Sequence, residues 1–555
     1  MIKKNKNLFA TGIFFISSSY LSFTMMNLFY LSIEAPDFIF YRDYFDYFFG
    51  NIDTTGRENG LLYFYLVSIA VSAQEHLITP LTENHIIGNS IQIINFLLYC
   101  IGLLGLFKLA VFKKYSRENI FIVFATLNFL PFTINMIVTM KPEVIAFSIL
   151  PWCFLGLEKY IETNNIKYLY YIIFPNIILL TTKATIIASV ALVYLLIFYR
   201  NYQIFINFNV VKILILFLFL SALILNENYL ANGYFILDHS PGGGGATIPL
   251  EDRVKLHFLY NVNFIDLIQK PYRHNHANSL VGLILLDTFG DYFQWYANNS
   301  RTLFYIDRVN FAGFWYFVNV REILALMLSL IFYFYIFFLA LRKLGLKIYL
   351  LLPLASIFIF CLSVFIRAEY FDTSRAELFK THYYSYFLII SFTFMFLHTV
   401  KDNIFKKLLL SFAIISISLY LYGFPKNNFD DINTYLGVKN SVSQLCELNT
   451  NLLRIKTDPN CQDFSKNICI ENILLIDVRY IKSLKNKSPQ SIYPLNLSSE
   501  SKAPVSVSNS SECEKFINDG YGYKSKYSKN IKTPVLNVIY YVFALASFFY
   551  ISKKE

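Results

Sequence analysis

Charge is scarce in this chain. Asp, Glu, Lys and Arg make up 15% of 555 residues, hydrophobic residues 55%, and the mean hydropathy is +0.45, whereas a soluble domain carries about 25% charged residues. That imbalance excludes an ordinary soluble enzyme and predicts a polytopic membrane protein. A phosphate-binding P-loop is also missing, because the glycine run Gly242–Gly245 after Pro241 is followed by no Gly-Lys-Ser or Gly-Lys-Thr. The run reads instead as part of an outward loop, a candidate lid. None of the seven cysteines forms a CxxC pair, which argues against structural zinc. The first apolar run has no small-residue cleavage site, so it reads as a retained span rather than a signal peptide.

The formal charge of +11 at first invites a nucleic-acid partner, but the basic residues fall in small clusters between apolar runs. That is the pattern of topology signals, and no nucleic-acid partner is expected. Cys100, Cys153 and Cys361 lie in apolar runs, whereas Cys446, Cys461, Cys469 and Cys513 share one polar segment near the C-terminus. Four cysteines in a polar segment predict two disulfides and an oxidising compartment, with the pairing left open.

Taken in order, apolar runs occur at residues 8–31, 86–112, 120–139, 144–160, 168–180, 184–199, 211–225, 323–341, 348–366, 383–398, 408–422 and 535–551. The run at 61–73 is too short to cross about 30 Å of hydrocarbon and reads as an interfacial or half-embedded helix. Lysines and arginines mark alternate connections: Lys3, Lys4 and Lys6; Lys113, Lys114 and Arg117; Lys159 and Lys167; Arg200 and Lys212; Arg342, Lys343 and Lys347; Lys401, Lys406 and Lys407; Lys553 and Lys554. The positive-inside rule places these in the cytoplasm, giving about twelve spans with both termini inside. The expected fold is therefore an all-α polytopic membrane protein, with a multi-span module over 1–422, outer loops at 32–85 and 226–322, and a last helix and tail at 534–555. Between them, 423–533 is expected to form a small periplasmic, disulfide-bearing mixed α/β domain.

Two charges break this pattern. Lys141 in TMKPEV and Lys183 in LTTKAT sit in very short outward connections, where lysine is normally avoided. Either they snorkel to lipid headgroups or they meet an anionic ligand such as a phosphate. Arg367, Arg375, Lys380 and His382 form a third outward cationic cluster beside tyrosines, with Glu369, Asp372 and Glu377 near enough in sequence to neutralise it. Paired cations at an outer interface suit a polyprenyl phosphate, whose chain stays in lipid. In the acidic, aromatic loop after the first span stand Asp37, Asp43 and Asp46, the last two three apart and on one face if that stretch is helical. The long outer segment adds Asp287, Asp291, Trp295 and Tyr296, carboxylates and aromatic faces of the kind that line sugar sites, or else an amphipathic interfacial helix. His274 and His276 are a weak metal pair in an exposed polar loop.

The early aspartates in DFIFYRDYFDYFFG, the short helix after them, KPE, TK and the late KTHYYSYF, in this order and sidedness, resemble the GT-C superfamily of membrane glycosyltransferases. The resemblance covers the layout of residues 8–422. It implies transfer of a sugar from a polyprenyl-phosphate donor, on the periplasmic face of a bacterial inner membrane, to a glycan, lipid or protein acceptor. It implies a first-loop aspartate as base, with DFIFYR pointing to Asp37 and the acidic pair of other members pointing to Asp43 or Asp46. Lys141, Lys183, Arg367 and Lys380 would then steady the leaving phosphate, with Arg375 and His382 beside them, and Asp287, Asp291, Trp295 and Tyr296 would meet the acceptor. A single inverting displacement requires no cofactor, although a divalent metal is compatible with it. The rival readings are an oligosaccharide polymerase or ligase of surface-polysaccharide assembly, which relies on outer-loop arginines and a histidine, and a transporter. Against the transporter, the chain has no two similar halves with Gly/Pro-broken helices and no acidic residue deep in a span.

Overall fold

The structure is a computed structural model. It describes residues 10–19, 21–22, 32, 38–50, 52–57, 59–77, 83–183, 186–187, 190–191, 194–195, 208–233, 257–269, 271, 276, 279–290, 312–342, 349–350, 352, 357–358, 384–400, 404, 406–412 and 531–553. The described residues are mostly helical and include no strand. The helices used below are α1 (Ala10–Ser19), α2 (Phe38–Phe48), α3 (Leu61–Leu77), α4 (Glu83–Phe112), α5 (Arg117–Leu127), α6 (Pro131–Val138), α7 (Glu143–Thr163), α8 (Lys167–Tyr171), α9 (Ile173–Thr182), α10 (Phe208–Asn232), α11 (Leu280–Phe289), α12 (Ala312–Arg342), α13 (Ser385–Thr399) and α14 (Val535–Ser552).

Among the described residues five helical stretches are long and apolar enough to cross a membrane: 86–112, 143–163, 208–232, 322–339 and 535–552. Counting α5 and α6 as one bent span makes six. Their burial runs opposite to a soluble bundle. The most apolar stretch, in α10, is only 17% buried, while α7, the least apolar, is 83% buried. Leu214, Ile215, Leu218 and Phe219 of α10 stand exposed, as side chains facing lipid tails do.

The expected span 120–139 is not one rod. It breaks between α5 and α6, which meet at 67°. Pro131 is the cause: it opens α6, and Leu130 before it is extended at φ −86 and ψ 137, because the proline ring disfavours the helical region for its predecessor. The expected span 168–180 is likewise divided, at Ile172 between α8 and α9. The short run at 61–73 is helical as expected and extends to Leu77. The disulfide-bearing segment 423–530, with its expected α/β fold, lies outside the described residues.

The core of the bundle is α4 against α7, brought close by two glycines of α4. A Cβ on Gly102 would sit 2.5 Å from the Phe147 ring, and one on Gly105 2.7 Å from Trp152 Nε1. Trp152 Nε1 donates to Ile101 O at 3.1 Å and its ring stacks on Phe548 of α14 at 4.6 Å. The last helix is thus sewn into the middle of the fold. At its other end the Glu227 carboxylate of α10 accepts the backbone N–H groups of Leu536 and Asn537, each at 2.9 Å, and the Asn537 amide at 2.8 Å. A carboxylate borrowed from another helix therefore caps α14, satisfying donors that a helix start leaves open.

Candidate functional site

The site begins with the periodicity of α2. In FIFYRDYFDYF the residues Tyr41, Tyr44, Phe45 and Phe48 recur at helical spacing, and all four are buried. Tyr44 stacks on Phe64 of α3 with ring centroids 3.8 Å apart, and its hydroxyl accepts the Asn59 N–H at 3.0 Å. The loop that follows is tied down twice by the end of α10: Thr55 N–H donates to Ala231 O at 2.9 Å, and the Asn232 amide donates to Asn59 O at 2.7 Å. From the C-terminal side Lys532 N–H donates to Phe48 O at 2.9 Å, and its ammonium lies 4.7 Å from the Tyr47 ring centroid. Burial first, and the Glu227 charge second, hold the Tyr47 phenol above its ordinary pKa.

Two connections converge on Tyr41. Lys141, 2% exposed, lies over the Tyr41 ring at 5.6 Å, and Lys183 lies 6.0 Å from the same ring. Lys183 Nζ donates to the Tyr41 hydroxyl at 3.3 Å and to Glu143 Oε1 at 2.8 Å. Glu143 is 1% exposed and opens α7, where a carboxylate complements the helix dipole. Each lysine is presented by an extended turn at the end of an apolar helix: Thr139 after α6 and Lys183 itself after α9. The Asn95 amide of α4 donates to both Ile137 O and Thr139 O at 2.7 Å, and its oxygen accepts the Tyr63 hydroxyl at 2.8 Å. On the other side Gly60 N–H donates to Thr182 O at 2.9 Å. Only glycine fits there, since a Cβ would lie 2.2 Å from Thr181 O.

The three stretches singled out in the sequence, the first-loop acidic helix, KPE and TTK, are thus in contact through Tyr41, Lys141, Glu143 and Lys183. The first-loop carboxylates are placed less uniformly. Asp43 and Asp46 are partly exposed and lie off the buried face that carries Tyr41, and Asp43 pairs with Arg57 at 3.4 Å. Asp37 lies outside the described residues, as do Arg367, Arg375, Lys380, His382, Asp291, Trp295, Tyr296, Cys446, Cys461, Cys469 and Cys513. Asp287 is described. It is 2% exposed within α11, beside Thr288, whose hydroxyl is 3.0 Å from that of Tyr333. His276 is also buried, and His274 is outside the described residues. No group of three or more His, Cys, Asp and Glu suited to a metal occurs among the described residues.

Two members of this cluster escape a reading of the sequence. Tyr41 hides among the aromatics of FIFYR, and its signal is only its helical register with Tyr44 and Phe48. Glu143 stands two residues from Lys141 in KPE, where a helix-opening acid would pass unnoticed. No protein-family model, curated protein or solved structure matches this chain.

Proposed function

We propose that this protein is an integral-membrane glycosyltransferase of the GT-C type, taking a sugar from a polyprenyl-phosphate donor at the outer face of a bacterial inner membrane. About twelve spans with both termini in the cytoplasm complete this reading. The observation that carries it is the meeting of Lys141 and Lys183, from separate connections, on the buried face of the first-loop helix. Buried cations are expensive in an apolar bundle and mark ligand or ion sites by default. A lipid phosphate entering from the bilayer would receive charge-assisted hydrogen bonds from them.

In this mechanism the acceptor hydroxyl attacks the anomeric carbon while a carboxylate takes its proton. The bond from that carbon to the phosphate oxygen breaks, and the lipid phosphate leaves with the electron pair. Lys141 and Lys183 steady the charge that gathers on the departing oxygen. Asp37, four residues before Tyr41 in sequence, is assigned as the base, with Asp43 and Asp46 as the alternatives on α2. An envelope glycan, lipid or protein is the acceptor class.

The test is transfer of radiolabel from polyprenyl-phosphate sugars to envelope acceptors by the purified full chain, with Asp37→Asn, Asp43→Asn and Asp46→Asn compared. Loss of transfer in Asp37→Asn alone supports the assignment. Full transfer in all three variants contradicts an aspartate base, and labelling of Asp37→Cys only from the cytosolic side contradicts the topology.

A further inference from the structure

In the Lys141–Glu143–Lys183 cluster, one carboxylate oxygen is used neither by the ion pair nor by any other described residue. Glu143 Oε1 receives the Lys183 ammonium at 2.8 Å, but Glu143 Oε2, in a residue only 1% exposed, has no hydrogen-bond donor among the described residues. A buried carboxylate oxygen without a donor is a costly arrangement, and each such group calls for an explanation. A carboxylate accepts hydrogen bonds and repels other acceptors, so its missing partner is a donor. A phosphate oxygen is therefore the wrong occupant for Oε2, although the adjacent lysines suit one.

Resting on the function proposed above, we propose that Glu143 is a sugar-binding and specificity residue: Oε1 fixes Lys183 for the phosphate, and Oε2 accepts a hydroxyl of the sugar attached to that phosphate. The two oxygens of one side chain then read the two halves of a glycosyl phosphate. Anionic oxygens fall to the lysines and hydroxyl hydrogens to the carboxylate. A hydrogen bond to a buried charged acceptor is worth about tenfold or more in affinity.

The full chain in lipid nanodiscs is to be titrated by native mass spectrometry. The ligands are bare polyprenyl monophosphate and the same lipid carrying glucose, galactose, mannose or N-acetylglucosamine. At least one glycosylated lipid is expected to bind the wild type more tightly than the bare lipid. Glu143→Gln is expected to reduce that gain, read as the ratio of glycosylated-lipid to bare-lipid affinity within the variant, about tenfold. Should Glu143→Gln fold poorly, the same ratio is read in Lys183→Met/Glu143→Gln, a double variant that leaves neither charge unpaired.

If the bare lipid binds and Lys141→Met weakens it, but no sugar adds affinity or the gain survives Glu143→Gln, the role of Glu143 is overturned and the phosphate site stands. If the bare lipid fails to bind the wild type, both fall.

Discussion

Helix α7 carries a Lys–Glu pair at each end, and the two could hardly be placed more differently. At its start Glu143 and Lys183 have side chains 1% and 11% exposed; at its end Glu158 and Lys113 are 25% and 23% exposed, at a similar separation of 2.7 Å. Fifteen residues, about 22 Å of helix, separate them. The far end is a meeting place of basic connections: Glu158 also accepts the Tyr349 hydroxyl at 2.5 Å, the Lys159 ammonium donates to Lys553 O at 2.6 Å, and Lys406 pairs with Glu118 at 2.6 Å. Those lysines belong to connections assigned to the cytoplasm from sequence. The near end is more deeply buried, and among the described residues Glu143 Oε2 there accepts no hydrogen bond. Identical chemistry thus stands partly hydrated in one place and desolvated in the other.

The contrast is sharpened first by breaking the buried pair. Lys183→Ala strands the Glu143 carboxylate in the interior and is expected to cost about 3–5 kcal/mol, read as a large fall in thermal midpoint in detergent. Gly60→Ala tests how tightly the near end is held. Its Cβ would collide with the Thr181 carbonyl, so a loss of about 1–3 kcal/mol is expected from overpacking. Least costly is Lys113→Ala, at about 1 kcal/mol or less because the pair is partly hydrated. Raising salt from 0.05 M to 0.5 M should erase the small effect of Lys113→Ala and leave that of Lys183→Ala standing. Equal penalties for the two lysines, or equal salt sensitivity, would remove the distinction between the ends.

Two lysines of the near end are legible in the sequence. Lys141 and Lys183 stand out because a charge in a short connection between two apolar runs conflicts with its surroundings, and conflict of that kind is visible in a one-dimensional string. The membrane class and the positions of α4, α7, α10 and α14 followed from uninterrupted apolar runs. What stayed hidden was relational. Glu143 looks like any acid at a helix start, and only the fold brings Lys183 to it across forty residues. The break before Pro131 was missed because apolar residues continue through it, so hydropathy outweighed the backbone signal. Glu227 could not be read as the cap of α14, since its partners stand 309 and 310 residues away.

The most direct test compares sugar transfer from a radiolabelled polyprenyl-phosphate donor by the reconstituted wild type, Lys141→Met, Lys183→Met and Lys113→Met. A hundredfold or greater loss, about the scale for removing one group that stabilises developing charge, is expected in the first two variants, with near-normal transfer in Lys113→Met. Undiminished transfer by Lys141→Met and Lys183→Met, folded to the same extent as wild type, would contradict the assignment of these lysines to the lipid phosphate.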